Sequence, residues 1–190
     1  MKKKIFIACD TTNIKNVKRI IAQSKSKKIK IGYKFGLEFM NSKNGRQFVS
    51  KLRRKIIFVD LKLNDTVNTM LSAVRALKDL KINYLTVHIS SGLAALKAVK
   101  KVSGSIKIIG VTTLTSLNNN DLKLIGYNKS VRHLVAHQAK LAKKASLDAL
   151  VCSPFEVSAV KKIFKKEIIT PGVQMGRRNY DQKRSMEAKK

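Results

Sequence analysis

Acidic residues are scarce in this sequence: 11 Asp and Glu stand against 41 Lys and Arg over 190 residues, a formal net charge of +30. That imbalance raises nucleic acid or an anionic substrate as a partner. Aromatics are scarce as well, at 6% of residues with no Trp. A nucleic-acid reader gathers its cations on one face and interleaves aromatics for base stacking. Here Lys and Arg are spread along the whole chain. The charge therefore reads as decoration of exposed faces, and no specific nucleic acid is expected as a partner. The only two cysteines, Cys9 and Cys152, lie in apolar runs far apart in sequence, with no CxxC or Cys/His spacing beside them. Neither a zinc site nor a disulfide framework is indicated, and no metal is expected. Long hydrophobic runs are missing too. The start, MKKKIFIACDTT, has the lysines of a signal peptide, but its apolar stretch ends at Asp10, too short for one, and nothing later has the length of a membrane span. The expectation is a soluble, cytoplasmic protein without membrane contact. No low-complexity tract or Gly/Ser linker interrupts the chain, and 44% hydrophobic residues suffice for a core. Residues 1–190 are expected to form one domain.

What the sequence does contain is rhythm. Short β-branched, non-alternating apolar runs occur at 5–8, 29–33, 56–59, 84–87, 106–111, 149–152 and 167–170. Such runs suit parallel strands buried on both faces. Helical patterns lie between them: Ile14, Val17, Ile20 and Ile21 mark one face, Val67, Leu71, Val74 and Leu77 another, and Leu93, Leu96 and Val99 a third, with further stretches at 131–144 and 156–164. Strand–helix repeats of about 25 residues predict an α/β fold with right-handed crossovers. An open dinucleotide-binding sheet calls for a Gly-rich turn after its first strand, whereas CDTTN follows here. A (β/α)8-type barrel instead places functional residues at the ends of many strands. Asp10, Lys34, Asp60 with Lys62, His88, Thr115 and Ser153 each close a predicted strand. The barrel is the better reading, although only seven βα units are visible where a closed barrel has eight.

The chemistry centres on Asp60, Lys62 and Asp65 in DLKLNDTVNT. Alternation along a strand puts Asp60 and Lys62 on one side. Acids flanking a lysine favour its ammonium form, which suits a proton donor. An isolated DxKxxD describes a surface ion pair as readily as an active centre. Its place at the end of a buried strand argues for the centre. Lys34 adds a second cation to the same rim, and Gly36 lets the backbone approach a ligand. Asp10 reads either as a site carboxylate or as part of a helix N-cap with Thr11 or Thr12. His88 suits a rim histidine bonded to its neighbours, and of Thr112, Thr113, Thr115 and Ser116 some must cap the following turn.

These segments carry a resemblance. IACD, KFGLEFM, FVDLKLNDTVNT, TVHISSG, GVTTLTSL, DALVCSPFEV and ITPGVQMGRRNYDQKRSM, in that order, resemble the orotidine 5′-phosphate decarboxylase family over nearly the whole chain. The resemblance implies a cofactor-free decarboxylase of orotidine 5′-monophosphate in pyrimidine biosynthesis, working as a homodimer. Lys62 would protonate C6 once carbon dioxide leaves, Asp60 would lie beside the departing carboxylate, and Lys34 would complete an alternating charge array. Asp65 would reach into the partner subunit's site. The run Asp60, Leu61, Lys62, Leu63, Asn64, Asp65, Thr66, Val67, Asn68 and Thr69 would line the substrate, with Asp10 and Thr69 at the ribose. Thr115 and Gln182 would hold the pyrimidine and phosphate end, Ser153 the base, and Gln174 the substrate.

The sequence departs from the family pattern in three places. Thr66 and Val67 stand where relatives have Ile and then Pro or Gly. Gln174 takes the position of an Arg after TPG, with Arg177 and Arg178 nearby. Relatives continue past the MEAKK end through an eighth strand, a Gly-Arg phosphate-binding pair and a last helix, so a truncated or incomplete product is expected. Two alternatives remain: keto-sugar phosphate decarboxylation or aldol chemistry within the same superfamily, and an inactive basic fragment binding nucleic acid. GVTTLTS and DQKR favour the nucleotide substrate, and no matching glutamate supports a metal.

Overall fold

The computed structural model describes residues 3–174, 183, 184, 186 and 187. Seven strands form one parallel sheet in sequential order: β1 (Lys4–Ala8), β2 (Lys30–Gly36), β3 (Ile56–Leu63), β4 (Tyr84–His88), β5 (Lys107–Val111), β6 (Ala149–Val151) and β7 (Glu167–Ile169). Each predicted run thus becomes a strand, with ends shifted by a few residues. The helices are α1 (Ile14–Gln23), α2 (Leu37–Met40), α3 (Gly45–Lys51), α4 (Val67–Ala76), α5 (Gly92–Val102), α6 (Asn119–Leu124), α7 (Val131–Lys144) and α8 (Val157–Ile163). Of these, α2, α3 and α6 have no counterpart in the sequence reading. At four to seven residues they are too short for an amphipathic period to show. A two-residue parallel ladder, β8 (Val173–Gln174) with β9 (Met186–Glu187), lies apart from the main sheet.

Alternation sorts each strand into two faces. Tyr33, Phe35, Ile57, Val59, Leu85, Val87, Ile108 and Leu150 point to the helices and join the main core with Val17, Val74, Leu96, Val99 and Val135. Burying such an aliphatic side chain contributes about 1.5–3 kcal/mol. The opposite parity lines the inside of the curl. Phe6, Phe58, Tyr84, Ile109 and Ala149 form a second cluster, joined by Ile56, Val151 and Ile169. Because that cluster draws on β1 and β7 alike, the sheet rolls into a barrel wall rather than lying open.

A side-chain pair reinforces the curl. Lys4 on β1 reaches Glu167 on β7 at 2.9 Å and also bonds the hydroxyl of Tyr84, which donates to Glu167 at 3.1 Å. Burial alone would lower the Lys4 pKa, but hydrogen bonds and attraction from Glu167 and Tyr84 outweigh it and leave the value raised. Entry to alternate strands repeats one device: Asn83 and Asp148 accept the backbone N–H of Ile57 and Ile108, each at 2.8 Å.

Helix starts follow local chemistry. The Asn13 side chain accepts from the Lys15 and Asn16 amides and caps α1. Asn118 and Asp121 form a reciprocal capping box at α6, and Ser130 caps α7.

Candidate active site

Above the aromatic interior cluster, the inward parity of each strand changes from apolar to polar: Gly32 gives way to Lys34 on β2, Phe58 to Asp60 on β3, and Tyr84 to Thr86 on β4. The result is an unbroken line of alternating charge. Lys34 Nζ lies 3.2 Å from Asp10 Oδ1 and 3.6 Å from Asp60 Oδ2, and Lys62 Nζ lies 3.0 Å from the same Asp60 oxygen. Burial is uneven along it. The Asp60 side chain keeps 12% of its surface and Lys34 23%, while Lys62 keeps 37% and Asp10 56%. The pair at the centre is sheltered, and Lys62 still faces an approaching molecule. A Cβ built on Gly36 would lie 3.4 Å from Asp10 Oδ1 and 3.8 Å from Lys34 Nζ, ordinary contact distances, so the backbone of Gly36 runs beside the array.

Asp10 settles between its two readings. Asn13 caps α1, and the Asp10 carboxylate goes to Lys34 instead. The expectation that simple alternation places Lys62 beside Asp60 needs correction. β3 and β4 pair as Val59 with Leu85 and then Leu63 with Val87, so β3 contains a bulge. Lys62 sits in it at φ +49°. The ammonium meets Asp60 through this left-handed turn, not through period two.

The run from Asp60 to Thr69 divides in two. Asp60, Leu61, Lys62 and Leu63 belong to β3 and are buried or half-buried, whereas Asn64, Asp65, Thr66, Val67, Asn68 and Thr69 are all exposed. Asp65 accepts the Thr66 amide at 2.6 Å, and Thr66 and Thr69 share a hydroxyl contact of 3.1 Å. Asp65 pairs with no cation among the described residues. Exposed Glu38 shares this, whereas Asp10, Asp60, Asp79, Asp121, Asp148, Glu156 and Glu167 each pair with a cation.

His88 bonds Ser90 at 3.2 Å. Burial, with Lys62 nearby, lowers its pKa and favours the neutral ring. Thr112 and Thr113 are structural: Thr112 donates to the Val151 carbonyl at 2.8 Å, and Thr113 to buried Gln138 at 3.1 Å. Thr115 is half-buried, and its carbonyl accepts the Arg184 amide at 3.2 Å. Ser153 is fully buried and donates to the Arg184 carbonyl at 2.9 Å. Arg184 itself pairs with Glu156 at 2.5 Å and donates to the carbonyls of Thr113 and Leu114, both at 2.9 Å. It therefore ties together the ends of β5 and β6, a role the sequence reading did not assign. Gln174 lies in β8, while Gln182, Arg177 and Arg178 lie outside the described residues.

Cys9 and Cys152 are both free and buried. Burial, helped by Asp10, pushes the Cys9 pKa up to about 11; burial, helped by Glu156, pushes that of Cys152 up to about 12. Neither is an activated thiol. Among the described residues, no group of three or more His, Cys, Asp or Glu could hold a metal ion, and no helix is long and apolar enough to cross a membrane.

Thr86 is the site residue that sequence reasoning missed. It is fully buried, donates to Asp60 Oδ1 at 2.9 Å and accepts the Lys62 amide at 2.8 Å. The signal was a lone hydroxyl inside the apolar run YLTVH, because a buried polar group must find a partner.

Known proteins share this architecture. An orotidine 5′-phosphate decarboxylase from Wolbachia pipientis subsp. Culex pipiens is 41% identical over 188 residues, covering 95% of this chain and 81% of the relative. One from Ehrlichia canis is 39% identical over 186 residues, covering 95% and 80%. The crystal structure of orotidine 5′-phosphate decarboxylase from Lactobacillus acidophilus superposes with a TM-score of 0.80 at 28% identity, covering 90% of this chain and 82% of that one. The model of the Orotidine 5′-phosphate decarboxylase / HUMPS family matches residues 3–190, and the chain belongs to that family.

Proposed function

We propose that this protein decarboxylates orotidine 5′-monophosphate to uridine 5′-monophosphate in pyrimidine biosynthesis. The observation that carries the reading is the Asp10–Lys34–Asp60–Lys62 charge line at the strand ends, in a chain of this family. The bond from C6 to the carboxylate breaks, carbon dioxide leaves, and the electron pair stays on C6. Lys62 gives that carbon a proton from its ammonium group and regains one from solvent. Its fixed positive charge, held by Asp60, stabilises the developing carbanion as a preorganised electrostatic group. Asp60 lies beside the departing carboxylate, and Lys34 balances its charge. Asp10 takes the ribose hydroxyls, with Thr69 from the partner side. Thr115, Ser153, Gln174 and Gln182 hold the base and phosphate end.

The working unit is a homodimer. Support comes from Asp65, exposed and without a cation in a strongly basic protein, and from exposed Val67 beside it. Asp65 would complete the partner's site next to that subunit's lysine. Two unpaired, buried cysteines fit a reducing compartment, the cytoplasm. The test is to incubate the purified protein with orotidine 5′-monophosphate, following the fall in substrate absorbance and the release of carbon dioxide. Both are expected in step. The assignment is overturned if a version extended to the full length of the relatives also folds and produces neither.

A further inference from the structure

The bulge in β3 leaves an asymmetry. Between the pairs Val59–Leu85 and Leu63–Val87, β3 uses Asp60, Leu61 and Lys62, while β4 uses only Thr86. Backbone groups in such a bulge lose their ladder partners, and a buried N–H cannot be left unpaired. The Thr86 side chain takes the place of the ladder: its Oγ1 accepts the Lys62 amide at 2.8 Å. A hydroxyl has one proton to give, and this one goes to Asp60 Oδ1 at 2.9 Å. The carboxylate is thereby divided. Oδ1 belongs to Thr86, and Oδ2 is left for the ammonium groups of Lys62 at 3.0 Å and Lys34 at 3.6 Å.

We propose that Thr86 is a positioning residue for the reacting pair, its hydroxyl setting the rotation of the Asp60 carboxylate and the left-handed turn of Lys62 together. The residue is fully buried beneath the array and acts through those two groups. Lys62 at φ +49° adopts a conformation that a side-chain-bearing residue keeps only when its surroundings hold it. The same hydroxyl that holds the turn also aims the acid, so neither group moves independently of the other. This inference rests on the decarboxylase reading for its catalytic consequence but not for its geometry.

Thr86→Val keeps the shape and removes the hydroxyl; Thr86→Ser keeps the hydroxyl and removes the methyl. Two measurements on the full chain decide: kcat and KM for orotidine 5′-monophosphate, and hydrogen exchange of the Lys62 amide by NMR. In Thr86→Val, kcat is expected to fall about 10²-fold with KM within a few-fold, the pattern of lost orientation and not of lost binding. Lys62 amide protection is expected to disappear while Leu85 and Ile108 keep theirs. Thr86→Ser should restore both, with kcat within about five-fold of wild type. The proposal is overturned if Thr86→Val keeps its kcat and the Lys62 protection. It is equally overturned if protection falls across the whole sheet and Thr86→Ser restores nothing, since Thr86 would then only support folding. If neither the wild type nor a version extended to its relatives' length turns over the substrate, the functional reading fails on its own, and the Lys62 amide still decides whether Thr86 holds the turn.

Discussion

Two ion clusters occupy the inside of the same barrel wall, one below the aromatic cluster and one above it. In the lower one, Lys4, Glu167 and Tyr84 each bond the other two, and the lysine sits over the Phe6 and Tyr84 rings at 5.7 and 4.7 Å. In the upper one, two lysines converge on one carboxylate oxygen, and the Lys62 side chain, with Asp60 as its partner, stays partly exposed. The residue types hardly differ. What differs is closure: the lower cluster is a closed triangle that joins β1 to β7, whereas the upper one ends on Lys62, whose ammonium has one partner among the described residues and retains capacity for a ligand. This is the division expected when buried polar networks specify structure and sites hold back some of their bonding potential.

The sharpest way to break the comparison is Lys62→Ala. Turnover should fall by roughly 10²–10⁴-fold, the contribution of a positioned general acid. The thermal midpoint should barely move, since the side chain is partly exposed. Kinetics and thermal unfolding on the same preparation check both halves. Next comes the cross-subunit role of Asp65. Asp65→Ala and Lys62→Ala proteins should each be inactive alone, yet a refolded equal mixture should regain about a quarter of wild-type activity, because half the dimers hold one intact site. A mixture as inactive as its parents would place both groups in one subunit.

The lower cluster should show the opposite pattern. Glu167→Gln is expected to cost about 1–2 kcal/mol, between the values for exposed and fully buried pairs. Denaturant unfolding would measure it, and kcat per folded molecule should be unchanged. The smallest effect concerns His88. Burial and Lys62 lower its folded pKa below the unfolded value of 6.5, so it contributes stability above pH 6.5 that is lost as pH falls through the lowered value. The thermal midpoint should therefore drop on acidification below pH 6.5, and the slope should be shallower in His88→Gln.

Much of this was legible in the sequence because parallel strands of such a sheet are written as short, largely apolar, non-alternating runs, and each of the seven is marked by one. The candidate site was legible where one residue per strand end sufficed, as with Lys34 and Asp60. It was not legible where geometry depends on a count between two strands. Nothing in DLKLND announces that three of its residues face one residue of β4, so the turn at Lys62 and the part played by Thr86 appear only in the folded chain. Arg184 was hidden for a related reason. Its partners Thr113, Leu114 and Glu156 lie far away in sequence, and no local period links them.

The shortage of acids across the chain has a kinetic consequence. Most described carboxylates are already matched to a lysine or arginine, so the surplus of cations faces solvent with little to cancel it. A field of that sign gathers anions at the surface before any specific contact is made, and it weakens as ionic strength shortens the Debye length to about 8 Å near physiological salt. The 3.0–3.6 Å contacts of the charge line lie well inside that length. Capture of a phosphorylated, carboxylated nucleotide is thus tuned by the medium, while the charges that meet it at the strand ends are not.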